Sequence, residues 1–165
     1  MPNESDRSPF YAQGLRFSCT RCSACCRYES GFVFLSEKDI SLLVDALNMD
    51  FNAFTEAYCR WIRAENGDFQ LSLKEKSNYD CIFWAKEPVE GCTVYDRRPL
   101  QCRSFPFWPS IMDSKDNWEM AARDCPGMGR GELHSRDSIN KWLAAREREL
   151  IISRNKISKR VQGVH

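Results

Sequence analysis

FSCTRCSACCR, residues 17–27, places Cys19, Cys22, Cys25 and Cys26 within eight positions and sets the last two side by side. Four closely spaced thiols in a polar segment carry an oxidation hazard and offer no packing benefit, so this stretch reads as a metal-binding motif. The adjacent pair poses the structural question. Neighbouring side chains in extended backbone project to opposite sides, so two vicinal thiolates do not close readily on one ion. The expectation is that Cys25 and Cys26 face different centres.

Working outward, four more cysteines stand next to turn formers: Cys81 in YDCIF, Cys92 in EGCTVY, Cys102 in RPLQCRS and Cys125 in RDCPG. With the first four they make eight candidate ligands. That is twice the thiolate number of a closed zinc site or a common iron–sulfur cluster, and two centres of four thiolates are the simplest arrangement. Four thiolates leave a charge of about −2 on either zinc or a [4Fe-4S] core. Arg97, Arg98 and Arg103, beside Cys92 and Cys102, are candidates to neutralise it, Arg98 first among them. Tyr95, Phe105, Phe107 and Trp108 are expected to wrap the centre in an apolar shell. The ninth cysteine, Cys59, falls inside a helical pattern and reads as a semi-buried packing thiol. His134 and His165 have no partner spacing and read as surface residues. CPGMGRG, 125–131, lacks the Lys-Ser/Thr of a phosphate loop.

The remaining sequence bounds the fold. The 165 residues, 42% of them hydrophobic, suffice for one domain with a core. Lys plus Arg number 24 against 23 Asp plus Glu, a net charge of +1 that gives no reason to expect a nucleic-acid or membrane partner. MPNESDRSPF lacks an apolar signal core and the longest apolar runs are as short as CIFWA at 81–85, so a cytoplasmic location is expected. In that compartment thiols stay reduced, and the odd count of nine also argues against a disulfide framework.

Residues 1–14 read as a tail or lead-in strand. Ser36 and Asp39 form the S-x-x-D signature of a capping box, which predicts a helix over Glu37–Leu47. Phe51, Phe54, Tyr58, Trp61 and Ile62 fall on one face of a second helix across 51–63 and are expected in the core. Phe69, Leu71 and Leu73 alternate as a half-buried strand should. Short strands are expected at 79–84, 92–95 and 117–122. Three prolines between 99 and 109 imply irregular chain beyond one helical turn at 99–102. A last helix should run from an N-cap at Asp137 to about residue 152 through Ile139, Trp142, Leu143 and Leu150, with a frayed basic tail behind it. The expected fold is a small single α+β domain, with irregular loops and short strands organised around the cysteines and helices flanking them.

FSCTRCSACCR, FLSEKDISLLVDALNMDFNAFTEAYC, CTVYDRRPLQCRSFPFWP and DCPGMGRG together resemble the CxxCxxCC cysteine-cluster proteins of YkgJ type, a zinc- or iron-chelating domain. The resemblance runs from Phe17 to Gly131. It implies a polar segment at 1–16, a chelating domain at 17–131, and a C-terminal helix with basic tail at 132–165. It puts Cys19, Cys22, Cys25 and Cys26 on the naming motif, Cys92 and Cys102 on the Arg-Pro block, Cys125 on the C-P-G block, and Cys81 on the cysteine upstream. One departure is Ser23, where the family commonly has Gly; if that position needs positive φ, Ser costs about 1 kcal/mol there.

The metal stays open between zinc and iron. C-x2-C-x2-C with a distant Cys125-Pro126 is reminiscent of a ferredoxin run, whereas a radical-SAM C-x3-C-x2-C cannot be completed, because Glu29 follows Cys22 and Cys26 at the third position. The implied function is non-catalytic metal chelation or partner binding, with metal ions as ligands and no protein partner named. The alternative is an iron–sulfur enzyme, since flagellin lysine N-methylases resemble carriers of a related cysteine region. The chain has no room for a separate S-adenosylmethionine domain and no acid/base pair outside the cysteines.

Overall fold

The computed structural model describes residues 8–156; the first seven residues of the polar segment, the end of the basic tail and His165 lie outside them. Along the chain come β1 (Leu15–Phe17), α1 (Glu37–Leu47), α2 (Phe51–Tyr58), β2 (Cys59–Arg63), β3 (Phe69–Leu73), β4 (Trp84–Ala85) and β5 (Gly91–Cys92). These are followed by α3 (Leu100–Ser104), α4 (Pro109–Met112), α5 (Lys115–Ala122), β6 (Met128–His134) and α6 (Arg136–Glu147). The strands form three antiparallel pairs, β1–β6, β2–β3 and β4–β5. Short strand pairs among helices make this the α+β class that the pattern implies. The described chain gathers into two compact units, one of residues 23–103 with 149–156, the other of 8–22 with 104–148.

In the 23–103 unit the capping box forms as the sequence predicts. Ser36 Oγ accepts the Asp39 N–H at 3.2 Å, and the Asp39 carboxylate accepts the Ser36 N–H at 3.0 Å. Asp39 does more than cap: it is 1% exposed, and its other oxygen accepts the Leu100 N–H at 2.8 Å, tying α1 to the start of α3. Asp50 caps α2 by accepting the Ala53 N–H at 2.9 Å.

The second helix stops at Tyr58, and 59–63 is strand rather than helix. All five residues of β2 pair with β3, from Cys59 opposite Leu73 to Arg63 opposite Phe69, and this long-range pairing overrides the local helical period. On β3, Leu71 accepts the Leu35 N–H at 3.0 Å and donates to the Ile152 carbonyl at 2.9 Å. That second bond explains why the last helix ends at Glu147: residues 151–153 return to bridge Ser36 and Gln70, and Leu150 stays 73% exposed. Leu35, Ile40, Leu43, Phe54, Leu71, Phe83 and Ile152 form the core, with Phe54, Tyr58 and Phe83 in ring contact.

The other unit is built on β1–β6, where Phe17 lies opposite Met128. Its core is Phe107, Met112, Trp118, Met128 and Ile139. Residues 117–122 belong to α5, capped by Ser114, whose Oγ accepts the Asn117 N–H at 3.1 Å; the strand reading there fails because Trp118 has a core to face at helical spacing. Ser135, not Asp137, caps α6, accepting the Ser138 N–H at 3.2 Å. The sequence offers little warning of β6. Glycines just before and within it permit close approach: a Cβ on Gly127 would collide with the Ser18 carbonyl, and one on Gly131 with the Ser18 hydroxyl.

Candidate metal centre

Backbone strain marks the thiol-bearing segments. Among the described residues five non-glycine residues have positive φ, and four of them, Arg21, Ser23, Tyr28 and Tyr79, lie within two positions of Cys19, Cys22, Cys25, Cys26 or Cys81. Such strain persists where surrounding structure enforces it, commonly at functional sites. Ser23, at φ 65°, is the N-cap of a 3-10 turn over Ala24–Cys26, so this position does adopt the conformation that glycine favours.

That turn answers the question of the adjacent cysteines. A 3-10 turn rotates successive side chains by about 120° rather than the 180° of a strand, so both thiols can address one region. The Cys26 thiol donates to the Ser23 carbonyl at 3.3 Å, and the Cys25 and Cys26 sulfurs interact electrostatically with each other and with Cys81 and Cys92. In this structure the two sulfurs of the pair lie close to each other rather than on opposite sides of an extended chain.

Five candidate ligands thus share the 23–103 unit: Cys25 and Cys26 on the turn, Cys81 in the loop after β3, Cys92 in β5 and Cys102 in α3. The Cys81 N–H donates to the Cys26 carbonyl at 2.8 Å, joining the first two segments directly. Cys81 and Cys92 each receive a backbone N–H from two residues on, Phe83 and Val94 respectively. N–H donors aimed at sulfur stabilise thiolate and are what a ligating turn supplies.

The thiols tune one another. Interaction with the adjacent Cys26 thiol brings Cys25 down to about 7, against partial desolvation and with help from the Arg98 guanidinium. The same interaction, with desolvation and the neighbouring sulfurs, pushes Cys26 up. Burial raises Cys81 to about 11, and burial also raises Cys92 and Cys102. A cation among them would relieve both penalties, which is why metal binding to such a set releases protons.

Of the three arginines singled out by sequence, Arg98 is the one whose charge favours thiolate at Cys25, Cys92 and Cys102. It is fixed by donating from Nε to the Tyr95 carbonyl at 2.8 Å, with its guanidinium 3.7 Å from the Tyr95 ring centroid. Arg103 instead donates to the Arg98 carbonyl at 2.9 Å, and Arg97 is exposed. Of the four aromatics expected around the centre, Tyr95 belongs to this unit, whereas Phe105, Phe107 and Trp108 pack in the 104–148 unit with Phe17 and Trp118.

Cys19, Cys22 and Cys125 belong to that other unit. Cys19 and Cys22 are exposed, and the Arg21 N–H reaches the Cys19 sulfur at 3.4 Å. Cys125 packs against the unit's core in a turn closed by the Met128 N–H on its carbonyl at 3.1 Å. The Ser18 N–H donates to the Gly127 carbonyl at 3.3 Å, so the neighbour of Cys19 meets the Cys125 turn. Cys59 is a buried core thiol, as expected, although in a strand; burial holds it at about 12. His134 is not a plain surface residue: its Nε2 lies 3.0 Å from the Phe17 carbonyl and its ring 5.0 Å from that of Phe107.

Among the described residues, no three Cys, His, Asp or Glu side chains stand at coordination spacing around a common point. What the fold supplies is a neighbourhood of soft donors, and its chemistry fits a thiophilic ion such as zinc or iron. Trp84 adds a buried indole N–H that has no hydrogen-bond partner among the described residues, directly across the β4–β5 pair from Cys92. Opposed residues share one face of a strand pair, so this donor lies on the Cys92 side, suited to a group carrying acceptor sulfur.

The family model for CxxCxxCC, described as "Putative zinc- or iron-chelating domain", matches residues 18–126, more than half of the chain. The chain belongs to the CxxCxxCC family. An uncharacterized protein of Methanocaldococcus jannaschii is similar, 26% identical over 147 residues that cover 86% of this chain and 74% of that protein. No solved structure matches. As a CxxCxxCC protein the chain carries a metal-chelating domain of the zinc or iron kind. Among the described residues no helix is long and apolar enough to cross a membrane.

Proposed function

We propose that this CxxCxxCC protein binds zinc or iron through cysteine thiolates, in a non-catalytic chelating or partner-binding role, and that Cys19, Cys22, Cys25, Cys26, Cys81, Cys92, Cys102 and Cys125 are the ligands. The reading is supported by the family match over residues 18–126 and by the placement of five thiols, from four separate segments, in one compact unit together with Arg98. Burial disfavours ionisation of Cys81, Cys92 and Cys102, and a bound cation would offset that cost. When bound, the ion supplies the positive charge that lets the thiols ionise together. Arg98 and the N–H groups of Phe83 and Val94 then hold the remaining negative charge.

A second reading has its own support. Five thiols in one unit exceed the four of a closed zinc site, which favours a polynuclear centre and keeps the iron–sulfur enzyme as an alternative. A cytoplasmic setting, where thiols stay reduced, accords with either.

Elemental analysis of anaerobically purified protein tests both. Bound zinc in colourless protein supports the chelating role. Iron with labile sulfide and broad visible absorption moves the assignment to the iron–sulfur reading. Protein that takes up neither metal, with its thiols titrating as free, ends both.

A further inference from the structure

Arg27 follows the vicinal cysteines and is held from both ends. Its Nε donates to Asp80 Oδ1 at 2.9 Å, and Asp80 is 2% exposed. Asp80 is fixed in turn: Asn78 Nδ2 donates to its Oδ2 at 2.9 Å, and the Lys76 N–H donates to its carbonyl at 2.7 Å. The Arg27 guanidinium carbon lies 3.5 Å from the Trp84 ring centroid, a stacking distance, and 4.8 Å from that of Tyr28. A further approach to Glu90, at 3.9 Å and exposed, adds little.

The positions of these partners give the contacts their meaning. Arg27 adjoins Cys26, Asp80 adjoins Cys81, and Trp84 lies opposite Cys92. One planar cation therefore touches the segments that bear four of the five thiols. The backbone bond from Cys81 to Cys26 joins the immediate sequence neighbours of the ion pair. A lysine would provide the charge but not the flat face that stacks on indole while a ring-side N–H reaches the carboxylate.

We propose that Arg27 is a positioning residue which, through Asp80 and Trp84, sets the separation of the Cys25–Cys26 turn, the Cys81 loop and the β4–β5 pair before metal arrives. This rests on the metal-binding reading above. Metal sites lose affinity steeply when the groups that orient their ligands are removed, typically about 10- to 100-fold.

The test titrates the metal-free full chain with zinc against a chromophoric chelator. Cobalt is then used as a probe, because the intensity of its sulfur-to-metal charge-transfer band counts thiolates. Arg27→Gln, Arg27→Lys and Asp80→Asn are compared with Arg154→Gln. Arg154 is also a stacked arginine, but its rings, Trp61 and Phe69, lie in β2 and β3. Arg27→Gln is expected to weaken zinc by about tenfold or more and to lower the charge-transfer intensity per cobalt, Arg27→Lys not to rescue it, and Arg154→Gln to stay within about twofold of wild type. Circular dichroism of each metal-free variant reports its fold.

If Arg27→Gln does not fold, Asp80→Asn decides, since it keeps the side-chain volume: folded with weakened metal supports the proposal, folded with unchanged affinity and spectrum overturns it. Full rescue by Arg27→Lys, or a wild-type chain that is unfolded without metal, also overturns it. A wild-type chain that binds neither zinc nor cobalt is the distinct outcome that removes the metal reading itself.

Discussion

The two units divide the naming motif between them. Cys19 and Cys22 belong with residues 8–22 and 104–148, Cys25 and Cys26 with residues 23–103, and the surroundings of the two pairs differ. In the 23–103 unit Cys81 and Cys92 pack against the cluster that includes Phe83 and Val94, and Cys26 is half-buried, whereas Cys25 is exposed. Cys81 and Cys92 each receive a backbone N–H, and the Arg98 charge favours thiolate at Cys92. In the other unit, Cys19 and Cys22 are exposed, and Cys125 alone packs against the core. Spacing in sequence is thus a poor guide to which thiols share an environment. The 3-10 turn, with Ser23 in left-handed backbone, gathers Cys25 and Cys26 on one side of the divide.

The largest effect that would sharpen this comparison is on metal content. Cys81→Ser and Cys102→Ser should each remove most of the metal held by the 23–103 unit, whereas Cys19→Ser should leave that metal in place; metal-to-protein ratios after gel filtration measure it. Equal losses in all three variants would erase the distinction between the units. Cys25→Ser and Cys26→Ser should act on the same fraction of metal, because their thiols share one neighbourhood.

Next in size are the cores. Phe54→Ala, at a fully buried side chain in the 23–103 unit, should cost about 3–5 kcal/mol in denaturant unfolding. Phe107→Ala, 2% exposed in the other unit, should cost a similar amount, about 3–5 kcal/mol. A much smaller loss for one of them would show that its core is the looser.

Smaller still are local backbone terms. Ser36→Ala removes half of the capping box and should cost about 1 kcal/mol. Ser23→Gly relieves the left-handed strain while adding unfolded-state entropy, so it should raise the melting midpoint by the equivalent of less than about 1 kcal/mol. A destabilised Ser23→Gly variant would show that the serine side chain itself holds the turn.

The smallest effect is pH dependence at Asp68. Partial desolvation favours its neutral form but is outweighed by the N–H of Phe69 at 2.7 Å, the Ser153 hydroxyl and the N–H of Asn155, which together hold the carboxyl below its usual range. A lowered folded-state pKa means that the stabilisation is complete above the ordinary carboxylate range and is lost as pH falls through the folded value. Asp68→Asn should therefore be less stable than wild type at neutral pH, the gap closing in acid; melting curves across that range measure it.

Several features were legible in the amino-acid order. The Ser36–Asp39 box, the alternation of Phe69, Leu71 and Leu73 and the thiophilic character of the chain each depend on residue chemistry within a few positions. Those local terms act before the chain has folded. Other features became decidable only with tertiary structure. Cys59 lies in a strand because β3 pairs with it, and α6 stops at Glu147 because the residues after it bridge β3 and its neighbours. Cys25 and Cys26 share a neighbourhood because their backbone coils there. Arg27 and Asp80, two unremarkable charges 53 positions apart in sequence, meet only because the loop after β3 returns to the turn. Side-chain partners at such separations depend on where folding brings the backbone back, a property that no local pattern encodes.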